Sequence, residues 1–429
     1  MKLDRIAELA RAEPGRKFFS IAHLLTVEAL HEALGNLRRD AAAGVDGVTV
    51  VHYEGQARES LQALHERLKS GRYRAQPLRR IYIPKDDGKQ RPISIPALED
   101  KIVQRATVEL LNAIYEQDFL RWSYGFRPGR DAQQALAEVG RVLCRQPLHW
   151  VLELDICAYF DSIVREQLME LVERRISDRS VLRLLRKWIA VGVIDEGHLL
   201  VTQTGTGQGQ VISPLLANIY LHYVFDLWVE HEVAPRLRGQ VAAIRYADDA
   251  LLCFERYDDA QKVLQVLPQR FAKYGLRLHP EKTRLVAFGR TALEQAEREG
   301  GKVATFDFLG FTHQAVRSRN GKFTVHVKTM KQRLRRALGA LTAWCRAHRH
   351  DPVPEQQRAL NAKLRGHYQY YGRPTNYYSL YQFFQGARRI WRHWLNRRTR
   401  GKTFTWARYE QLLARHPLLR PRITHAWSR

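Results

Sequence analysis

The sequence predicts an α+β fold in which a small sheet carries a cluster of carboxylates, and three observations predict it. Two apolar runs, Val241 to Ile244 and Ala250 to Phe254, flank YADD at Tyr246 to Asp249, so this stretch reads as a β-hairpin with two acids at its tip. A strand-like run, Trp150 to Leu154, ends at Asp155, and another acid, Asp161, follows six residues on. Between the two acid motifs lies TGTGQGQVISPLLANIYLHYVFD, a glycine-rich turn (Thr204 to Gly209) feeding an apolar-periodic helix.

Carboxylates clustered on rigid backbone are what a two-metal phosphoryl-transfer site needs, because two Mg²⁺ ions roughly 3.5–4 Å apart must hold the attacking and leaving oxygens of an in-line displacement. Adjacent aspartates alone also make solvated turns. The order and spacing of the strand acid, the glycine turn and the acidic hairpin are those of a template-dependent polymerase. Asp155 and Asp248 are then the first metal ligands, with Asp249 a third acid at the primer end.

The remaining elements follow from pattern. Thr26 to Asp40 and Gly55 to Gly71 have apolar residues at helical spacing, separated by the glycine-punctuated AAAGVDGVTV (Ala41 to Val50). RRIYIP and RPISIP flank KDDGKQ, a hairpin signal of the Asp-Gly type. Helices are expected over Asp100 to Asp118, Asp131 to Arg145 and Tyr257 to Tyr274, then a strand over Arg284 to Phe288. After FLGF (Phe308 to Phe311) a hairpin turn at Arg319 to Gly321 leads into basic helices.

Charge narrows the class of partner. The chain of 429 residues carries a formal net charge of +26, and from Thr312 to Arg429 stand 26 Lys and Arg against three acids, which places +23 of that charge there. Charge so concentrated calls for a polyanion, and nucleic acid phosphates are the natural one. Aromatic residues interleave the arginines of HYQYYGRPTNYYSLYQFFQGARRIWRHWLNRRTR (His367 to Arg400), as in a helix bundle that packs on one face and reads phosphates and bases on the other. The composition shift near residues 312 to 325 is the expected domain boundary. Cys144, Cys157, Cys253 and Cys345 stand far apart, excluding a disulfide framework or a zinc site by spacing. The N-terminus MKLDRIAELARAEPG lacks the apolar core of a signal peptide and no stretch is long enough for a membrane span, so a cytoplasmic protein is expected.

Seven ordered blocks carry a family resemblance: IPKDDGKQRPISIP (Ile83 to Pro96), YGFRPGRDAQQAL (Tyr124 to Leu136), DICAYFDSI (Asp155 to Ile163), GTGQGQVISPLLANIYL (Gly205 to Leu221), RYADD (Arg245 to Asp249), LHPEKT (Leu278 to Thr283) and FLGF. The chain resembles group II intron reverse transcriptases, also called intron maturases. The resemblance implies a right-hand polymerase of fingers, a palm with a ferredoxin-like sheet, and a helical thumb with the maturase extension called domain X. It divides the chain into an N-terminal extension with a template-binding block (1–60), fingers and palm (61–315), and basic thumb and domain X (316–429).

It also implies site roles. Asp155, Asp248 and Asp249 are catalytic, the set holding two Mg²⁺ comprises Asp155, Ile156 and Asp248, and Asp161 is a further candidate carboxylate. Lys85 and Arg91 cradle the triphosphate, Gln208 sits beside the nascent pair, Phe160 is the steric gate that excludes a ribose 2′-hydroxyl, and Lys282 protonates the leaving group. Arg388, Arg389, Arg392, Arg397 and Arg398 form the nucleic-acid face. Departures from the family are Cys157 for lysine, Gly207 for proline and Gln210 for a small residue. With neither cysteines nor the histidine pattern of a nuclease before Arg429, an endonuclease-lacking type is expected.

The implied function is RNA-templated DNA synthesis on a DNA primer from deoxynucleoside triphosphates, by a protein that binds its group II intron RNA, aids splicing and serves mobility into a DNA target. Alternatives are a domesticated relative serving defence, repair or a CRISPR array, and an RNA-folding maturase with little polymerase use.

Overall fold

The computed structural model describes residues 2–84, 90–195, 198–200, 205, 207–398 and 404–426. At its centre is a four-stranded antiparallel sheet in the order Val241–Tyr246, Asp249–Phe254, Trp150–Leu154, Arg284–Ala287. In chain order that is 2-3-1-4, with helix Tyr257–Ala272 returning the chain from the third strand to the fourth, which is the ferredoxin-like palm expected. The alternation of strands explains why this sheet needs cover on both sides. Leu152, Leu154, Ala250, Leu252 and Phe254 face the largest core, which helix Tyr257–Ala272 joins through Ala260, Val263, Leu267 and Phe271. Val151, Ile244, Leu251, Cys253 and Val286 face a second core, filled by Ala135, Leu136, Val139, Val142 and Leu143 of helix Ala132–Arg145.

The finger hairpin pairs Leu78–Pro84 with Gln90–Ile95 in antiparallel register, as the two IxIP runs predict. Its turn, with Lys85, lies outside the described residues. The structure adds what the sequence did not signal: Val193–Asp195 pairs parallel to Leu78–Pro84, and His198–Leu200 extends the sheet. Helices Val27–Gly35, Ala57–Lys69, Leu98–Tyr115 and Ala132–Arg145 agree with the sequence reading, and Asp131 caps the last through Gln134 N. Helices Lys2–Ala12, Arg165–Glu173, Arg179–Ala190 and Arg290–Glu299 are additional.

Two features of the chain's second half bear on the site. The helix begun at Ser213–Leu221 continues through His222–Asp226 and Val229–Val233 in the wider π geometry, a departure that shifts side-chain register and recurs at functional positions. The expected composition shift at 312–325 falls inside the hairpin Phe311–Arg317/Phe323–Thr329, whose Phe311, Ala315, Val325 and Val327 pack in the palm's second core. The basic helices Lys331–Ala347, Val353–Tyr371, Tyr377–Leu395 and Trp406–Arg415 close a third core around Leu360, Tyr368, Phe383, Trp391 and Tyr409. Much of the aromatic stripe is therefore packing, with Tyr377, Tyr378 and Tyr381 left exposed. Among the described residues no helix is long and apolar enough to cross a membrane.

Candidate active site

Register brings the acids together. Leu154 pairs with Ala250, so Asp155, the next residue, stands across from Asp249 at the end of the adjacent strand. Tyr246 pairs with Asp249, leaving Ala247 and Asp248 as a two-residue turn with Ala247 at φ 57°. On the other side of Asp155, Ile156 bridges Leu278, with Cys157 N donating to Arg277 O and His279 N donating to Asp155 O, both at 2.8 Å. Successive carbonyls of extended backbone point opposite ways. Asp155 O is turned to the Leu278 segment, so the Ile156 carbonyl lies on the edge facing the YADD hairpin.

A buried network fixes the hairpin from beneath. Arg245 is 1% exposed, and its guanidinium grips fully buried Asp226 in a two-pronged pair, Nε to Oδ1 at 2.7 Å and Nη2 to Oδ2 at 2.5 Å. Its Nη1 donates to Asn218 Oδ1 and to Ala247 O, the turn carbonyl, each at 3.0 Å. Asn218 Nδ2 in turn donates to Gly125 O at 2.6 Å. Gly125 abuts the turn so closely that a Cβ there would lie 2.2 Å from Ala247 N. Tyr124 N to Arg245 O and Arg245 N to Trp122 O, both 2.8 Å, lay the 122–124 segment along the hairpin as an extra short strand.

Electrostatics reflect the crowding of like charges. Desolvation raises the pKa of Asp248, Asp155 adds to the rise, and Arg91 and Arg245 oppose it. Asp249 keeps solvent contact, yet the cleft around it, together with the charges of Asp248 and Asp155, raises its carboxyl to about 7, against Arg333 and Lys282. Lys282 Nζ donates to Asp155 Oδ2 at 2.9 Å, and that contact raises the lysine's pKa. Among the described residues no group of three or more Asp, Glu, His or Cys side chains is arranged to hold a metal ion. The donors are hard carboxylate oxygens on an open floor, which suits Mg²⁺, an ion that keeps waters and takes phosphate oxygens alongside one or two carboxylates. Asp161 stands exposed on the short helix Tyr159–Ser162.

The predicted substrate residues divide. Arg91 is close enough for its charge to act on Asp248. Phe160 is half-buried on the Tyr159–Ser162 helix, which Tyr159 ties down by donating its hydroxyl to Ala217 O at 2.5 Å. The glycine-rich loop runs against that helix: Gly205 N donates to Ile163 O at 3.0 Å, and a Cβ on Gly205 would lie 3.2 Å from Phe160 O. Gln208 O accepts from Ser94 N at 2.6 Å, so the finger strand and the loop share a main-chain bond. Gln210, a departure from the family, is buried and exchanges bonds with Gln104 (2.9 Å) and Trp188 O (3.0 Å), which accounts for a long amide where a small residue is usual.

Of the five thumb arginines, four are engaged within the protein, Arg397 through its place over the Trp394 ring. Arg398 donates Nε to Arg349 O and Nη2 to Asp351 O, Arg388 pairs with Glu410, and the Arg392 guanidinium lies 4.1 Å from the Trp406 ring centroid. Main-chain carbonyls take directed donors of Arg398, so the five arginines do not present equivalent groups at the surface. Arg389 and Arg397 stand exposed. Sequence reasoning also passed over Arg245, Asp226, Asn218 and Gly125. The available signal was polarity in the wrong place: an arginine within an apolar strand, and an Asn and an Asp within an apolar helical run.

The family described as Reverse transcriptase (RNA-dependent DNA polymerase) matches residues 83–313. Protein YkfC of Escherichia coli is 38% identical over 280 residues, which cover 58% of this chain and 74% of that protein. The group II intron-encoded protein LtrA of Lactococcus lactis is 34% identical over 280 residues, covering 62% of this chain and 46% of LtrA. The putative COX1/OXI3 intron 1 protein of Saccharomyces cerevisiae is 31% identical over 216 residues, 50% of this chain and 26% of that one. The chain thus spans about half the length of LtrA.

Two outcomes follow from the geometry. Arg245→Met strands Asp226 as an unpaired buried charge and should cost about 3–5 kcal/mol in denaturant unfolding, whereas Arg245→Met with Asp226→Leu should recover most of it; a single-variant loss below about 1 kcal/mol would show the pair to be incidental. Second, a carboxyl whose folded pKa is raised binds its proton more tightly than in the unfolded chain, so the metal-free protein loses stability as pH rises from the ordinary aspartate range through about 7. Mg²⁺ needs the carboxylate form and should raise Tm more at pH 8 than at pH 6 in thermal melts; an equal rise at both would remove Asp249 from metal binding.

Proposed function

The chain belongs to the reverse transcriptase family, and on that premise we propose that it copies RNA into DNA as the protein of a group II intron, and that it binds its intron RNA to assist splicing and mobility. The observation that carries this reading is the strand register that sets Asp155 against Asp248 and Asp249 at one end of the palm sheet. Family members use divalent metals. Here Asp155, Asp248 and Asp249, with the Ile156 carbonyl, would hold two Mg²⁺, which when bound supply the charge that activates the primer 3′-hydroxyl and neutralises the leaving pyrophosphate.

The chain's own residues do the positioning. Arg91, together with Lys85, draws the triphosphate toward the acids, where added positive charge offsets the charge that builds on the leaving group. The Phe160 ring fills the space of a 2′-hydroxyl under the incoming sugar. The loop at Gln208, bonded to Ser94 of the finger hairpin, bears on the nascent base pair. Lys282 is within reach of the acids to deliver a proton to pyrophosphate, once substrate displaces its contact with Asp155. RNA phosphates meet the thumb at Arg389 and Arg397, with the exposed Tyr377, Tyr378 and Tyr381 available for base stacking. A cytoplasmic setting and a DNA target belong to the same proposal.

The direct test is Mg²⁺-dependent extension of a DNA primer on an RNA template. Asp155→Ala and Asp248→Ala should each lower kcat by at least about a hundredfold, as losses of metal ligands do, and a variant above that level would sink the assignment. Phe160→Val should raise the ratio of kcat/KM for ribonucleotide over deoxynucleotide; an unchanged ratio would make Phe160 a packing residue.

A further inference from the structure

Among the described residues four non-glycine residues have positive φ: Phe126 (57°), Ala158 (45°), Ala247 (57°) and Leu309 (48°). Three sit in turns that shape the cleft. Ala158 precedes the Phe160 helix, Ala247 forms the YADD turn, and Leu309 belongs to FLGF, where its carbonyl accepts from Tyr370 Oη at 2.9 Å. The fourth, Phe126, is a large aromatic residue in a conformation that favours glycine, and it is 51% exposed.

The structure holds this conformation from both sides. Upstream, the Asn218 bond to Gly125 O and the contact of Gly125 with Ala247 N fix the chain against the catalytic turn. Downstream, buried Arg127 forks onto Glu116 (2.9–3.1 Å) and donates to Leu120 O (2.8 Å) and Ser123 O (2.7 Å). The result is a strained backbone presenting a ring to solvent, with its centroid 6.5 Å from that of Tyr246 in the catalytic hairpin. A purely structural role gives no reason for an exposed phenyl group here, since burial of the ring is what would offset the strain. Tyr246, which the Phe126 ring neighbours, and Asp249 lie within electrostatic reach of Tyr370 of the thumb, so the ring stands where the catalytic hairpin and the thumb approach each other.

We propose that Phe126 is a positioning residue for the template–primer duplex: its ring packs against the sugar edge of the terminal base pairs, beside Tyr246, and holds the primer end over the acids. This rests on the polymerase reading. The occupant is a duplex because the space lies between hairpin and thumb, and because a flat apolar ring beside a tyrosine suits deoxyribose and base edges, whereas a triphosphate needs cations.

Phe126→Gly separates the proposal from a structural role, since glycine relieves the positive φ while removing the ring. The full-length variant should keep or raise the wild-type Tm, bind an RNA–DNA template–primer roughly five- to tenfold more weakly by fluorescence anisotropy, and show a similar rise in KM for the duplex. Phe126→Tyr should restore duplex affinity. An unchanged duplex Kd in Phe126→Gly overturns the proposal, as does a lowered Tm accompanied by equal losses of affinity and kcat. If wild-type protein binds the duplex yet extends no primer, the polymerase reading fails on its own, while the affinity comparison still decides for or against Phe126.

Discussion

The contact on which the site depends is the buried fork of Arg245. It is one side chain with four acceptor atoms on three residues: both oxygens of Asp226, the amide oxygen of Asn218 and the main-chain carbonyl of Ala247. A two-residue turn has little to hold it except its own strand pairing. By tying the turn carbonyl to a helix that passes underneath, the arginine converts a mobile hairpin tip into part of the core. Asp226 reaches it from the π-wound turn His222–Asp226. The desolvation of Asp226 is severe, and the guanidinium opposes the resulting rise in its pKa, so the carboxylate and the arginine are retained as a pair or lost as one.

That arrangement also bears on the charge balance of the cleft. Asp155, Asp248 and Asp249 repel one another, and four cations from four separate segments act on them: Arg91 from the finger hairpin, Arg245 from beneath, Lys282 from the segment after the palm helix, and Arg333 from the first thumb helix. Only Arg245 is fully buried, and so only its contribution is fixed whatever binds. Lys282 is largely exposed at its contact with Asp155, so a bound cation can displace it at small cost. Fingers, palm and thumb thus each supply part of the field at one point.

How much of this was legible depended on whether a neighbour in space was also a neighbour in sequence. The palm strands were, because they are apolar runs and three of the four abut the acids; the finger hairpin and the helices over 98–115, 132–145 and 257–272 followed from their own periodicity. Helix Arg179–Ala190, with Val181, Leu182, Leu184, Leu185, Trp188 and Ile189 buried, has an equally regular pattern and was readable, though it lies between motifs that drew the reading elsewhere. The three-residue strands Val193–Asp195 and His198–Leu200 were not, since so short a run has no period. The partners of Arg245 stand 19 and 27 residues away and declare themselves only as polar residues at apolar positions. The long Gln210 looked like drift until Gln104 and Trp188 O were seen to fill its bonds.

The thumb shows the opposite error, a sequence signal that overstates its target. Composition makes residues 312–429 a nearly unbroken cation, and a phosphate-binding face of many arginines is the natural reading. A four-helix unit of this size has few apolar residues to spare, however, and its arginines also serve as its glue: Arg398 caps the Arg349–Asp351 turn, Arg388 pairs with Glu410, Arg392 stacks on Trp406, and Arg346 and Arg397 flank Trp394. An arginine over an aromatic ring keeps its charge and its outward-facing donors, so stacking and phosphate contact are compatible. A guanidinium whose donors end on main-chain carbonyls retains the charge but loses its directed bonds. Under the proposed RNA-binding role, counting arginines therefore measures a long-range, salt-screened attraction, while short-range register would fall to the few whose forks remain turned outward.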